Sequence, residues 1–321
     1  MSRAPSHPFI YDRPVRPSEF LNRELELRTI FNRLRNGEST FIVGEPRIGK
    51  TSMLLQLADE ATRRAHLGND ADRLIISTLD LHDLNSKPAY TQANFWEDAL
   101  KPLQERPVIT TITRQLEHAA QRNYDSSSLK RLFNRMGQQE WQLALLLDGF
   151  EQLLFHPNFQ RAAFFNLMRS LSTNTGGLAI IPASYLAASE MNEQGPGLLG
   201  VGSPFFTNPI ELRLRPFDEQ AADSLLKRAG QTLSATERCF IGRVTGGHPF
   251  LLQAMAAALM EAGSDKRQAR AAEIFYERAA SLLTQEQREK LLNTVRDVSE
   301  SSEQGVGALA QALFEELTRS Q

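Results

Sequence analysis

The segment Gly44-Glu45-Pro46-Arg47-Ile48-Gly49-Lys50-Thr51 has the spacing G-x-x-x-x-G-K-T, an arrangement that wraps backbone around a phosphate. Its glycines let the chain curl until several N–H groups face one anion. A helix opening at the end of the loop adds the positive end of its dipole. Lys50 is placed to reach the β and γ phosphates of a nucleotide. Thr51, followed by Ser52, offers a hydroxyl to Mg²⁺, a hard cation that prefers oxygen ligands. The run from Gly44 to Ser52 is therefore the expected nucleotide-binding surface.

Such a loop needs a second group that holds the metal and places a water in line with the γ phosphate. Asp148 follows the most hydrophobic run of the chain, Leu143 to Leu147, which puts its carboxylate at the carboxyl edge of a sheet, where α/β folds bind ligands. Asp148 is thus the expected Mg²⁺ partner of Thr51. Gly149 occupies the next position, so the nearest further acid is Glu151. Glu151 either polarises water, acting with Lys50 in catalysis, or caps the following helix. In the second case hydrolysis would be slow and the protein mainly a nucleotide-binding switch.

Hydrophobic spacing supplies the elements that hold these groups. Short apolar runs at Ser39 to Val43, Leu74 to Leu79, Leu143 to Leu147, Leu178 to Ile181 and Ile210 to Leu214 predict strands. Helical spacing places Leu27, Ile30, Phe31 and Leu34 on one helix, and a second runs from Lys50 through Met53, Leu54, Leu57 and Ala61. Ser126 is the expected cap of a helix through Leu129, Leu132, Phe133 and Met136. Residues 105 to 125 carry no decisive period. The alternation predicts an α/β fold with a parallel sheet, since continuous rather than alternating hydrophobicity marks a strand covered on both faces. Residues 187 to 208, rich in Gly, Pro, Ser and Asn, predict a long loop, and every periodic segment after about 215 is helical. The expected division is an irregular segment over 1–19, a nucleotide-binding domain over 20–215, a helical lid over 216–263 and a helical extension over 264–321.

Bulk properties restrict the function. The chain has 321 residues, 41% of them hydrophobic, and a net charge of −2, so no overall basic field favours nucleic acid or an anionic membrane. One cysteine, Cys239, cannot form an internal disulfide. The N-terminal arginines are not followed by an apolar stretch, and no apolar window approaches the roughly 20 residues of a membrane helix. The expected location is the cytoplasm.

The ordered set of motifs resembles the STAND branch of the AAA+-related P-loop NTPases, in particular bacterial members with an AAA-like ATPase domain. Phe20 to Leu27 resembles the family's F-x-G-R-x-x-E-L helix motif, and Gly44 to Leu55 its phosphate loop. Leu145 to Glu151, Ser203-Pro204-Phe205-Phe206 and Gly246 to Gln253, similar to the G-x-P stretch of the family's lid, follow in the family's order. The resemblance implies a P-loop NTPase sheet followed by an all-α lid, with ATP or ADP and Mg²⁺ as cofactors. It also implies that Arg23 and its neighbours meet the adenine from one side and Pro249, on the lid, from the other. The residues alone allow Gly247-His248-Pro249 to be an interhelical turn as well.

Asn22 stands where the family motif has Gly, a modest change because Asn tolerates similar backbone angles. Asp148-Gly149-Phe150-Glu151 departs from the usual Asp-Glu pair and resembles the Walker B of NACHT-type members. Pro182-Ala183-Ser184-Tyr185 lacks the Arg or Asn that many relatives use to sense the γ phosphate. Ser184 is either a weak substitute or part of a strand-end turn. The C-terminal helices are lid-packing helices or a reduced winged helix.

The reading that joins these features is an ATP-binding, slowly hydrolysing signalling switch acting through homo-oligomerisation or a separately encoded effector or sensor protein. One alternative is a DNA-associated ATPase of the initiator or transposition-regulator type, resting on the basic cluster Lys266, Arg267 and Arg270; the other is a nucleotide-binding scaffold without turnover.

Overall fold

The computed structural model describes residues 7–105, 110–160, 162–194, 210–263, 267–280, 282–300 and 307–318. Ser203-Pro204-Phe205-Phe206 and Lys266 lie outside them. Five strands form where the apolar runs predict them: β1 Phe41–Val43, β2 Leu74–Asp80, β3 Gln142–Asp148, β4 Leu178–Ser184 and β5 Glu211–Arg213. They make one parallel sheet in the order β2-β3-β4-β1-β5. All carboxyl ends therefore share one edge, where Asp148 lies opposite Asp80 of β2 and Ala183 of β4.

The apolar run of β3 is explained by cover on both faces. Leu143, Leu145 and Leu147 enter a core with Phe95, Trp96, Phe133 and Phe164, while Ala144 and Leu146 enter a second core with Ile30, Phe31, Met53 and Ile181. A strand buried on both sides has no polar position to alternate with. In the first core Phe95 meets Phe159 and Phe164 edge-on, with centroids 6.0 and 5.2 Å apart, the arrangement favoured by the ring quadrupole.

Several helices differ from the sequence expectation. The helix opening at Lys50 stops at Ala58, and a new one covers Glu60–Leu67. Asp59 between them is extended, and its carboxylate accepts from the backbone N–H and the hydroxyl of Thr62, both at 2.9 Å, which favours a helix start over continuation. The cap of the helix Ser126–Gln138 is Asp125 rather than Ser126; its carboxylate accepts from Ser128 N at 2.7 Å. A helix covers Thr110–Gln121 within the stretch without a decisive period, and another, Ala188–Gln194, opens the segment read as a long loop.

A third core gathers Leu226, Ile241, Leu252 and Met255 with Phe275, Val295 and Leu313 from the helices Arg267–Ala279, Gln285–Glu300 and Gly307–Thr318. Phe9 is buried in it, so the N-terminal segment packs on these helices. No strand follows β5 among the described residues, so no β-wing accompanies the C-terminal helices there. Among the described residues no helix is long and apolar enough to cross a membrane.

Candidate functional site

A cavity of about 540 Å³ lies between the carboxyl edge of the sheet and the helices after β5. Its floor is the loop from Pro46 to Ser52, which joins β1 to the helix Lys50–Ala58. Gly49 has φ 105°, a left-handed value that a side chain would resist. Gly44 is tight for another reason: a Cβ there would stand 2.8 Å from the Ile48 side chain and 3.1 Å from Leu214 O. Gly44 and Glu45 do not line the cavity. They act behind it, their carbonyls accepting from Lys50 Nζ at 2.8 and 2.9 Å. Burial holds the Lys50 ammonium below its ordinary pKa against the opposing pull of Glu151, Asp148 and Glu45.

Thr51 Oγ1 donates to Asp148 Oδ2 at 2.6 Å, so the two expected metal ligands touch. Glu151 also reaches the cavity and is buried. It sits at the cap position of the short helix Gln152–Phe155, yet its side chain makes no cap bond, and its Oε2 is buried without a hydrogen-bond partner among the described residues. A buried carboxylate oxygen without a donor costs about 1–3 kcal/mol unless a ligand or water meets it. The touching oxygens of Thr51 and Asp148, the lysine and this unmet acid are a donor set that fits a magnesium nucleotide.

Ser52 lines the cavity, as expected, and its Oγ also accepts from Val15 N at 3.1 Å. Ser184 is buried, outside the cavity lining, and its Oγ accepts from Leu186 N at 3.0 Å, which makes it a strand-end turn. Its neighbours Ala183 and Tyr185 face the cavity instead.

The opposite wall comes from the N-terminal segment, Arg23, Arg228, Phe217 and the start of the helix Pro249–Glu261. Asn22 and Arg23 have φ 62° and 80°, so the position that carries Gly in the family motif does need the left-handed region. Arg23 is buried, pairs with Glu26, donates to Arg215 O at 2.5 Å and stacks on Phe217 at 5.0 Å. Gly247-His248-Pro249 is an interhelical turn, and Pro249 lines the cavity as well. Gly247 has φ 76°, and Phe217 N donates to its carbonyl at 2.9 Å. A Cβ on Gly247 would lie 2.1 Å from Phe217 O.

The two walls meet through the loop itself. His248 Nε2 is 3.2 Å from Pro46 O, while Arg47, at φ 64°, lies over the Phe250 ring at 5.2 Å and donates to Tyr11 O at 3.2 Å. Burial holds His248 below its ordinary pKa, which keeps the imidazole neutral, with Nε2–H donating to the carbonyl. On the outer side of the loop, Gln287 Nε2 donates to Glu45 Oε2 at 2.9 Å.

Sequence reasoning missed the N-terminal segment from Ile10 to Val15, His82 and Arg228 as lining groups. The segment has no periodicity to flag it. His82 had a signal, since Asp80-Leu81-His82 places two titratable groups at a strand end on the binding edge of the sheet.

No known protein-family model matches the sequence, and no curated protein does. Solved structures do match. The Walker-type ATPase PABY2304 of Pyrococcus abyssi aligns with a TM-score of 0.61 at 17% identity, over 91% of this chain and 79% of that one. The ORC2 protein of Aeropyrum pernix, in ADPNP and ADP complexes, aligns with a TM-score of 0.53 at 15% identity, over 97% and 82%. The ORC1 protein of the same organism, in complex with DNA, aligns with a TM-score of 0.50 at 13% identity, over 96% and 79%. The chain has the α/β fold of AAA+-related P-loop ATPases.

Proposed function

We propose that this chain, an AAA+-related P-loop ATPase by fold, binds ATP and hydrolyses it slowly, as a STAND-type switch whose output is assembly with itself or with a separately encoded effector. The observation that carries the reading is that lid and phosphate loop touch directly. His248 and Phe250 rest on Pro46 and Arg47, so whatever fills the loop must alter the seat of the lid. A bound nucleotide can shift a hinge only through such a difference in contacts.

In this reading Pro46 to Thr51 cradle the phosphates, Lys50 moves from its own loop carbonyls onto phosphate oxygens, and Arg23 and Pro249 flank the base. Thr51 and Asp148 would hold Mg²⁺, which would supply charge neutralisation to the phosphates. Glu151, buried and without a partner for Oε2, is the group that takes a proton from water. A glycine after Asp148 leaves the base three residues on, which resembles a NACHT-type Walker B. The DNA-associated alternative loses support from its own cluster. Arg267 pairs with Glu237 and donates to Leu259 O and Thr232 O, and Arg270 pairs with Glu273.

The test is nucleotide content and assembly state of the purified chain. The wild type carries ADP, and exchange for ATP raises its mass in light scattering. Lys50→Ala carries none and does not respond. If that substitution left both content and assembly unchanged, the switch reading would fail.

A further inference from the structure

We infer that His82 is the residue through which this site distinguishes a nucleoside triphosphate from a diphosphate, its Nε2 meeting the terminal phosphate. The inference rests on the ATP-binding reading and adds a group that reading does not use.

β2 ends at Asp80, directly opposite Asp148, so the chain leaves the sheet beside the acidic end of β3. Leu81 N donates to Asp148 O at 2.9 Å and pins the turn there. The next residue is His82. Asp80 Oδ1 accepts from its backbone N–H at 3.0 Å and lies 2.7 Å from its Nδ1. A carboxylate only accepts, so Nδ1 carries the proton and two bonds to one oxygen fix the ring. Nε2 has no hydrogen-bond partner among the described residues, and the residue lines the cavity.

Gly149 explains how the ring reaches this place. A Cβ on Gly149 would stand 3.2 Å from both Cδ2 and Cγ of His82 and 3.3 Å from Cε1, near-equal distances that mean the ring lies face-on over the glycine. With φ 70° there and the ring so close, any side chain would displace the imidazole. The glycine that replaces the usual second acid of the strand end is thus the floor for a histidine.

Position then sets the ligand. Thr51 and Asp148 mark the metal end of the cavity, and His82 stands on the Asp148 and Glu151 side of it, farther along the edge from the loop. Phosphates bound by the loop and metal must extend toward that side, and only the longer chain of a triphosphate offers a further anionic group there. The end of β4 supplies no hydroxyl to the cavity, since Ser184 is fully buried and lies outside its lining. With Asp80 holding the proton on Nδ1, donation from Nε2 takes a second proton, and an anionic oxygen at that nitrogen favours the imidazolium.

The experiment compares the affinities of the full chain, with Mg²⁺, for ADP and for a non-hydrolysable ATP analogue by calorimetry. His82→Ala is expected to weaken the analogue about tenfold or more while leaving ADP within about twofold, the loss expected for one hydrogen bond to a charged group. His82→Gln, which keeps a donor, recovers part of the loss, and Asp80→Asn, which loosens the ring, falls between. ADP binding reports that each variant is folded. Equal weakening of both nucleotides, or of neither, overturns the assignment. Wild-type protein that binds neither nucleotide overturns the ATP reading itself, and the inference with it.

Discussion

The two walls of the cavity are built on different principles. The sheet wall is made of charged or polar groups on the segments that leave two strands of the sheet: Lys50 and Thr51 open the helix after β1, Asp148 ends β3 and Glu151 follows it. The opposite wall, the lid of the proposed function, is assembled by scattered bonds between distant segments, including Arg23 to Arg215 O, Phe217 N to Gly247 O and Ile10 N to Gln253 Oε1 at 3.0 Å, and it meets the loop through polar contacts that include His248 to Pro46 O. Strand ends buried on both faces cannot shift singly, which suits chemistry. A wall attached by a few polar contacts can detach as a unit, which suits a change of state. Under the proposed function, that contrast makes turnover and switching separable.

The largest effect expected from that separation is on turnover. Glu151→Gln keeps the volume and removes the base, so single-turnover hydrolysis should fall by about 10²–10⁴ while nucleotide affinity stays near wild type. An equal, near-zero rate in both proteins would merge the two walls into one binding surface and make the chain a scaffold.

A second perturbation should strike the lid alone. Gly247→Ala places a methyl against Phe217 O at a left-handed backbone position, and a loss of about 1–3 kcal/mol in denaturant unfolding is expected. Hydrolysis per bound nucleotide should change little. If turnover collapsed with the lid, the walls would not be independent.

The smallest effect sharpens where they touch. The folded-state pKa of His248 lies below its ordinary value of 6.5, so the unfolded chain takes up the proton first as pH falls. Stability from this group is therefore full above that value and is lost as pH drops through 6.5 toward the folded-state pKa. His248→Gln should lack this loss, so the stability difference between the two proteins, followed by thermal unfolding, should narrow or reverse with acidification.

Much of the sheet wall was legible because its signals are local. Gly44 to Thr51 announces itself by residue type and spacing, and Leu143 to Asp148 by a run of apolar residues closed by an acid. The lid wall was less so. Pro249 and Arg23 entered only through a resemblance, because a proline after two glycines and an arginine before a helix have common structural explanations. Ser52 lines the cavity with the loop, while the segment that donates to its hydroxyl, at Val15, is remote in the chain and has no local signal. The helix break at Asp59 was missed since the apolar period runs on across it, while a capping carboxylate decides the matter.

The parallel α/β sheet, its five strands, the glycine loop and the acid at the end of β3 follow from short-range periodicity and backbone sterics, which local residue types encode. Packing between remote segments leaves Glu151 Oε2 buried without a partner, keeps Ser184 in a buried turn outside the cavity, and sets His82 on Gly149 beside Asp148. It also brings the N-terminal segment and the turn at His248 together over the loop. These are contacts between residues far apart in the chain, whose side chains are directed by packing and hydrogen bonding that no local pattern encodes.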